Sequence, residues 1–333
     1  MIEAAGSAVI GENSLAEIEV TPEEILIRRS MSEVVAADAL LNSVKRHARD
    51  TAKKLLPTRL QRRFPYSLFG RKIGDYLENR DKERLFGSFA PLVPRVEDMF
   101  DGPRSLKLFK ETGEEFLRIY QEICGLRPSE KMLDVGCGIG RKTIPLTHYL
   151  TSEATYQGMD INRTGIEWCQ EKISAKFANF RFQQVDVYNK FYNPQGTVRP
   201  VDYKFPFESE TFDFVTLVSV FTHMRPTDGV NYLSEVHRVL RRGGRCLITY
   251  FLLTEESLQG LVDGKSAFDF KHAIGNSRVV LREMPEFAIA YEESWLRENY
   301  PKVGLKITRL DYGSWCGRGG AISCQDLVLA VKE

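Results

Sequence analysis

Residues 133–141 read LDVGCGIGR and place glycine at positions 136, 138 and 140, directly after an apolar run. Glycine accepts the positive φ of a tight strand-to-helix turn and lets backbone amides approach a ligand closely. A side chain at these positions would block that approach. The stretch therefore predicts a β-strand that ends in a nucleoside-binding turn.

The competing interpretation of this turn is the dinucleotide-binding fingerprint GxGxxG. Its third glycine would fall at position 141, which is Arg141 in this chain. Asp134 precedes the first glycine by two residues, and its carboxylate would repel an anionic pyrophosphate. The turn therefore favours a ligand that carries a positive amino group. Arg141 opens the following helix, where we expect exposure to solvent at least as much as contact with a ligand.

Four further strands are expected downstream of the turn. The segment TYQGMD ends at Asp160, twenty positions beyond Gly140, a spacing that suits a carboxylate bound to a ribose. FRFQQVDV ends with Asp186 and Val187, and FDFVTLVSVF is the fourth strand of the chain. The helical pattern VNYLSEVHRVL then precedes a fifth strand, RCLITYFLL. Strands that alternate with helices predict a parallel sheet that is covered on both faces.

Taken together, LDVGCGIGR, Asp160, the VDV step, FDFVTLVSVFTHM and RVLRRGG resemble the class I methyltransferases that use S-adenosylmethionine. The resemblance covers roughly residues 96–333. It implies an α/β fold: a three-layer, doubly wound, Rossmann-like sheet of seven strands in the order 3-2-1-4-5-7-6, with strand 7 antiparallel. The β-rich segments LKITRLDYG and CQDLVLAVKE, joined by a glycine-rich loop, predict the closing hairpin.

The resemblance also implies which residues bind the cofactor, S-adenosylmethionine. Cofactor and acceptor are expected to meet above the carboxyl ends of the first, second and fourth strands, where such sheets form a crevice. The implied residues are Asp134, Gly136, Gly138 and Gly140 around the methionine part, Asp160 at the ribose, Asp186 and Val187 at the adenine, and Ser219, Val220 and Phe221 beneath the sulfonium, and Ile161, next to Asp160, is a further expected cofactor-binding residue.

Methyl transfer to a hydroxyl group requires a base that takes the proton of the hydroxyl. His223 follows the fourth strand at the expected crevice, and the ordinary pKa of imidazole, about 6.5, suits that task. A histidine that fixes the loop by hydrogen bonds to the backbone or the cofactor is an equally open alternative. His223 is the one catalytic residue that we predict from the sequence.

The residues directly after the fourth strand narrow the nature of the acceptor. The sequence SVFTHM lacks the Asn/Asp-Pro-Pro-aromatic box that grips a flipped base, which argues against a nucleic-acid substrate. We therefore expect a small-molecule, sugar or lipid-linked acceptor, methylated on a hydroxyl oxygen. The competing hypothesis is a cofactor-binding scaffold or interaction protein that keeps the fold without turnover.

Two regions outside these motifs are expected to shape the acceptor pocket. Residues 188–207 interleave aromatic with polar residues, which suits a sugar ring, although packing of the rings on the sheet is the alternative. In the second region, residues 253–296, the sequence EFAIAYEESWLRENYP predicts a helix. Phe287, Tyr291 and Trp295 would lie on one face of that helix and pack into the core.

The amino-terminal third differs in composition from the rest of the chain. We expect a loosely ordered arm at residues 1–30, a basic helical extension at 31–95 and the methyltransferase domain at 96–333. Between residues 45 and 72, ten Lys and Arg side chains are opposed by Asp50 alone, although the whole chain has a net charge of +1. Peripheral contact with an anionic membrane is one interpretation. Docking on its own domain or on a second subunit is the alternative, and the oligomeric state stays open.

The sequence contains few features that indicate a cellular compartment. The amino terminus lacks the features of a signal peptide, and no apolar run approaches the length of a membrane span. The six cysteines show no short paired spacing, which favours free thiols over disulfides or a metal site. We therefore expect a cytoplasmic protein without a bound metal, in contact with a membrane surface only through residues 45–72.

Overall fold

The computed structural model describes residues 66–333. Residues Asp75–Glu333 form one compact unit. The predicted arm, and the predicted amphipathic helix with most of the basic residues between 45 and 65, lie outside the described residues. Within residues 66–333, no helix combines the length and apolar character needed to cross a membrane.

Eleven strands form two sheets within the described part of the chain. The main sheet contains β1 (Lys131–Val135), β2 (Thr155–Asp160), β3 (Phe180–Gln184), β4 (Phe212–Leu217), β5 (Leu240–Tyr250), β10 (Leu305–Asp311) and β11 (Asp326–Lys332). The small sheet contains β6 (Leu252–Leu253), β7 (His272–Ala273), β8 (Ser277–Val279) and β9 (Ile289–Glu292). The order is β10-β11-β5-β4-β1-β2-β3 in the main sheet and β6-β9-β8-β7 in the small one.

Seven α-helices accompany these strands among the described residues: α1 (Tyr66–Phe86), α2 (Leu106–Arg118), α3 (Thr143–Tyr149), α4 (Arg163–Cys169), α5 (Pro226–Val239), α6 (Glu255–Val262) and α7 (Glu293–Lys302). Their first residues follow local rules. The side chain of Asn162 caps α4 by accepting from Gly165 N at 2.9 Å, and Pro226 opens α5, where a missing N–H costs nothing. Thr254 and Ser257 form a capping box at α6.

The topology of the main sheet confirms the predicted fold. Strands β1 to β5 pair in parallel, and β11 pairs antiparallel with both β5 and β10. Numbered within this sheet alone, the order is the predicted 3-2-1-4-5-7-6. The carboxyl ends of β1, β2 and β4 meet at one edge, where a parallel sheet opens a crevice for a ligand.

Two apolar clusters cover the two faces of the main sheet. Met132 packs into one cluster and Leu133 into the other, and Phe214 and Val215 divide in the same way. Successive side chains of a strand point to opposite faces, so these central strands contribute to both clusters. Burial on both faces explains why these strands are almost continuously apolar. The sheet therefore provides a rigid support for the loops at its edge.

Two predicted strands end earlier than expected. β3 stops at Gln184 rather than Val187, because the chain turns back and Val187 forms an isolated bridge with Val198. β4 stops at Leu217, because Ser219 adopts a positive φ of 60° and breaks the ladder. Because both strands end early, residues 185–187 and 218–221 lie outside the sheet, at the edge where the crevice opens.

The helix predicted for residues 286–301 is wrong in its first half. Residues 289–292 form β9, which pairs with β6 on one side and with β8 on the other. Helix α7 begins only at Glu293. Pairing on both edges satisfies the backbone of this apolar segment and overrides its helical periodicity. The expected core packing is confirmed for Tyr291 and Trp295, which are buried with ring centroids 5.0 Å apart, whereas Phe287 is half-buried.

Candidate active site

The glycine-rich turn after β1 adopts the backbone that the sequence predicts. Gly136, Gly138 and Gly140 have φ values of 77°, 59° and 88°, a region that side chains rarely tolerate. The turn is tied to β2, because Gly136 N donates to the carbonyl of Met159 at 2.7 Å. A Cβ on Gly136 would lie 2.5 Å from Val220 Cγ2, and one on Gly138 would overlap Asp101 Oδ2. Glycine is therefore required at both positions.

Asp160, at the end of β2, holds this turn in place. Its Oδ2 accepts from Gly138 N at 2.8 Å and its Oδ1 from Asn162 N at 2.7 Å. Burial raises the pKa of Asp160 to about 6, with a smaller contribution from the charge of Asp101, although the two backbone hydrogen bonds oppose the shift. Each carboxylate oxygen keeps acceptor capacity, because it has a second lone pair.

Asp134 lies inside the sheet rather than at its surface. The carboxylate is fully buried, and Oδ2 accepts from the hydroxyl of Tyr156 at 2.8 Å. Oδ1 has no hydrogen-bond partner among the described residues. Burial raises the pKa of Asp134, and the nearby charge of Lys142 opposes that shift. An unpaired buried carboxylate oxygen is costly, so Oδ1 is an unsatisfied acceptor next to the turn.

The loop after β4 is strained and braced from two sides. Ser219, at φ 60°, donates its N–H to Thr249 Oγ1 at 2.8 Å and its hydroxyl to Gln325 Oε1 at 3.1 Å. The next residue, Val220, packs against the glycine turn. Phe221 is fully buried, with its ring centroid 5.0 Å from that of Tyr250. The loop thus carries one side chain to the glycine turn and anchors the next in the core.

His223 lies on the single helical turn that follows this loop. Its Nδ1 lies 3.0 Å from the backbone carbonyl of Glu286, and the backbone of Phe287 also interacts with the ring. Burial lowers the pKa of His223, although hydrogen bonding to the backbone opposes the shift. The rings of Phe191 and Tyr192 lie 6.4 and 5.1 Å away. The side chain of Asn189 donates to the carbonyl of His223 at 3.0 Å and ties the loop that contains Phe191 and Tyr192 to His223.

The residues predicted at the adenine lie beyond the end of β3. Asp186 is exposed, and its Oδ2 accepts from the hydroxyl of Thr197 at 2.5 Å. Val187 is buried and paired with Val198. Ile161 is half-buried and packs against the core beside Asp160. The structure therefore brings the residues from β1, β2 and β4 to one edge, with Asp186 at the solvent side of that edge.

The profile of a protein family described as a methyltransferase domain matches residues 126–299, more than half of the chain. The chain belongs to this methyltransferase family. The matched region extends from just before β1 into α7, so it contains the glycine turn, Asp160 and His223.

Two curated relatives and one solved structure illustrate the similarity of this methyltransferase to known proteins. Methyltransferase GfsG of Streptomyces halstedii is 26% identical over 185 residues, which cover 55% of this chain and 59% of the relative. Phthiotriol/phenolphthiotriol dimycocerosates methyltransferase 1 of Mycobacterium ulcerans is 35% identical over 120 residues, 36% of this chain and 37% of the relative. The chain therefore spans less than two thirds of either relative. Magnesium protoporphyrin IX methyltransferase of Synechocystis PCC 6803, with bound SAH, aligns at 16% identity with a TM-score of 0.45 and covers 79% of this chain and 99% of its own.

S-adenosylmethionine is the cofactor of this methyltransferase. The residues at the crevice fit it on two counts. Asp134 Oδ1 lacks a partner within residues 66–333, and both oxygens of Asp160 have free lone pairs. Carboxylates suit a ligand with an ammonium group and two ribose hydroxyls. The role of each of these residues stays a prediction.

Arg141 departs from its expected position on the solvent face of a helix. Its side chain is 5% exposed, and Nη2 donates to the backbone carbonyl and, at 3.3 Å, to Oδ1 of Asp101. The guanidinium also stacks on Phe109, 4.6 Å from the ring centroid. A buried cation needs a counter-charge, and Asp101 provides it. The sequence did not indicate Asp101, because nothing in its local pattern links it to a turn 37 residues later at Gly138.

Cofactor affinity is expected to fall in acid. Because the pKa of Asp160 is raised to about 6, the carboxylate is ionised above that pH and takes up a proton below it. If the ionised form binds the ribose, affinity for S-adenosylhomocysteine should be constant from about pH 7 upward and fall by up to tenfold per pH unit below about 6. Calorimetric titration across this range measures the effect. Asp160→Asn should remove the dependence, and an unchanged slope in that variant would assign it to Asp134 or another group.

Proposed function

We propose that this methyltransferase transfers the methyl group of S-adenosylmethionine to a hydroxyl oxygen of a small-molecule, sugar or lipid-linked acceptor, with His223 as the base. The observation that carries the proposal is the orientation of the imidazole. Nδ1 is engaged by the carbonyl of Glu286 at 3.0 Å, which leaves Nε2 as the ring nitrogen that would accept a proton from an acceptor hydroxyl. The sequence indicates a histidine as the base, and the hydrogen bond to Glu286 fixes the orientation of its ring.

The hydrogen bond to Glu286 selects one form of His223. A carbonyl only accepts, so Nδ1 carries the proton and Nε2 of the neutral ring has a free lone pair. Burial lowers the pKa of the imidazole, which keeps the ring neutral near pH 7. These two features support a base that is ready to accept a proton at Nε2.

Aromatic side chains around His223 support an acceptor with an apolar or ring-shaped face. Phe191 is 40% exposed and contacts Phe287, with the ring centroids 5.4 Å apart. Tyr192 lies edge-on to His223. Burial raises the pKa of Tyr192 to about 12, with further contributions from the charges of Asp101 and Asp160. Tyr192 thus contacts His223 and is close enough to Asp101 and Asp160 for their charges to act on it, which supports a pocket that joins the base and these acids.

Three of the other aromatic residues of segment 188–207 pack in the core, whereas Tyr188 is exposed. Tyr203 and Phe205 pack against Tyr232, and Phe207 packs against Phe212. Only the first part of the segment therefore faces His223. This division supports Phe191 and Tyr192 as the residues that contact the acceptor.

When bound, S-adenosylmethionine would supply an electrophilic methyl group, and S-adenosylhomocysteine would be the leaving group that keeps the electron pair of the carbon–sulfur bond. The acceptor hydroxyl provides the lone pair for the new oxygen–carbon bond, and its proton passes to Nε2 of His223. Alignment of two reactants contributes about 7 to 11 kcal/mol in well-oriented reactions. In this protein, the glycine turn and the rings of Phe191 and Tyr192 would provide that alignment. A base adds a factor of about a hundred to ten thousand. Positioning of the reactants therefore accelerates the reaction more than the base does.

Incubation of the protein with methyl-labelled S-adenosylmethionine and a cell extract tests this function. Label in the organic phase supports a lipid-linked acceptor and membrane contact through residues 45–72, whereas label in the aqueous phase supports a soluble sugar or small molecule. The Asp160→Ala variant, which should bind the cofactor weakly, measures the label that is incorporated without the activity of this protein. Tight cofactor binding without transfer to any extract would favour a scaffold without turnover and overturn the proposal.

A further inference from the structure

The chain segment that ends at Asp101, five residues before α2, lies over the glycine turn. Asp101 lies at the end of this segment, and Arg141, one residue beyond the turn, binds both its backbone carbonyl and its carboxylate. Gly102 has a φ of 90°, and a Cβ at this position would lie 3.5 Å from the same guanidinium. The carboxylate of Asp101 is therefore held at the turn by a buried partner rather than by chance contact.

The two oxygens of Asp101 have different surroundings. Oδ1 faces Arg141 at 3.3 Å. Oδ2 points at Gly138, whose missing side chain leaves room for it, and forms one long hydrogen bond with Ile139 N at 3.4 Å. The side chain is 23% exposed. Oδ2 thus has unused acceptor capacity beside the glycine turn.

Three carboxylates converge on this one turn. Asp160 accepts from Gly138 N, Asp101 faces Gly138 from the opposite chain segment, and Asp134 lies near the end of the preceding strand with Oδ1 unpartnered among the described residues. The charge of Asp101 contributes to raising the pKa values of both other acids, after burial. Arg141 and Lys142 oppose this concentration of negative charge only in part, and a further cation would relieve it.

We propose that Asp101, positioned by Arg141, is a further cofactor-binding residue that accepts a hydrogen bond from the ammonium group of S-adenosylmethionine. The inference rests on the proposed function in taking the crevice as the cofactor site. The cation involved is the ammonium rather than the sulfonium, because an ammonium donates hydrogen bonds to a carboxylate and a sulfonium carries no N–H or O–H donor. Asp101 then selects ligands that carry an intact amino-acid group.

Calorimetric titration of Asp101→Asn tests the inference with three ligands. Asparagine keeps the backbone carbonyl and a side-chain oxygen for Arg141, so the segment stays in place while the charge is lost. We expect affinity for S-adenosylmethionine and S-adenosylhomocysteine to fall about tenfold each. Affinity for methylthioadenosine, which lacks the amino-acid end, should not change. Asp98→Asn, an exposed acid three residues earlier, is the control and should match the parent.

Each other outcome overturns the inference in a recognisable way. Unchanged affinities would make Asp101 only the counter-charge of Arg141. Loss confined to S-adenosylmethionine would assign Asp101 to the sulfonium. Loss for all three ligands would indicate a general distortion of the turn. A parent protein that binds none of the ligands would instead contradict the cofactor site itself, and with it the proposed function.

Discussion

Asp160→Ala is expected to weaken binding of S-adenosylhomocysteine by about a hundredfold or more. The substitution removes the acceptor for Gly138 N in the turn, the acceptor for Asn162 N at the start of α4, and the predicted contact with the ribose hydroxyls. Hydrogen bonds to a charged group contribute about 1.5 to 3 kcal/mol each, so two of them account for an effect of this size. Calorimetric titration measures the change directly.

Two comparisons separate a local effect from unfolding. Asp202→Ala removes an exposed acid that pairs only with Arg199 among the described residues, and it should bind like the parent. Asp160→Asn keeps one acceptor and should fall between the parent and the alanine variant. Thermal unfolding of each variant reports whether the domain stays folded. Parent-like affinity in a folded Asp160→Ala protein would show that the cofactor site lies elsewhere.

His223→Ala is expected to reduce turnover by about a hundred- to ten-thousand-fold and to leave cofactor affinity unchanged. The substitution removes the base, whereas the glycine turn and Asp160 keep their contacts. Single-turnover measurements with the acceptor found by labelling give the rate, and titration with S-adenosylhomocysteine gives the affinity. His148→Ala, an exposed histidine on α3, should match the parent in both.

His223→Asn distinguishes a base from a structural histidine. The asparagine amide can donate to the carbonyl of Glu286 as Nδ1 does, but it has no basic nitrogen. We expect this variant to remain as slow as His223→Ala. In the parent, the rate should fall in acid as the imidazole takes up a proton, with an apparent pKa below the ordinary value because burial lowers it. Recovery of the rate in His223→Asn would show that His223 has a structural role and would exclude it as the general base.

The core of the fold was predictable because its decisive features are local. The glycines after β1 need positive φ, Asp160 ends a short apolar strand, and both facts are visible within a few neighbouring residues. The closing hairpin of β10 and β11 is likewise marked by two β-rich segments around a glycine-rich loop. The ordered series of these motifs made the strand order predictable, and the sheet confirms it.

The errors arose where distant partners decide the structure. Residues 289–292 have a helical pattern, but strands on both sides pair with them. Asp101 and Arg141 are forty positions apart in the chain, and their pairing depends on how the segment before α2 crosses the turn. Local periodicity contains no information about either contact. A glycine whose absent side chain makes room for another side chain, as at Gly138, cannot be distinguished in sequence from one that makes room for a ligand.

The atom that receives the methyl group tests the central claim most directly. The protein would be incubated with S-adenosylmethionine that carries an isotopically labelled methyl group and with the acceptor isolated by phase partition, and the product analysed by nuclear magnetic resonance. We expect a labelled methyl group bonded to oxygen, formed by the parent and lost in Asp160→Ala. A label bonded to carbon or nitrogen would contradict the proposed hydroxyl acceptor and the role of His223 as its base.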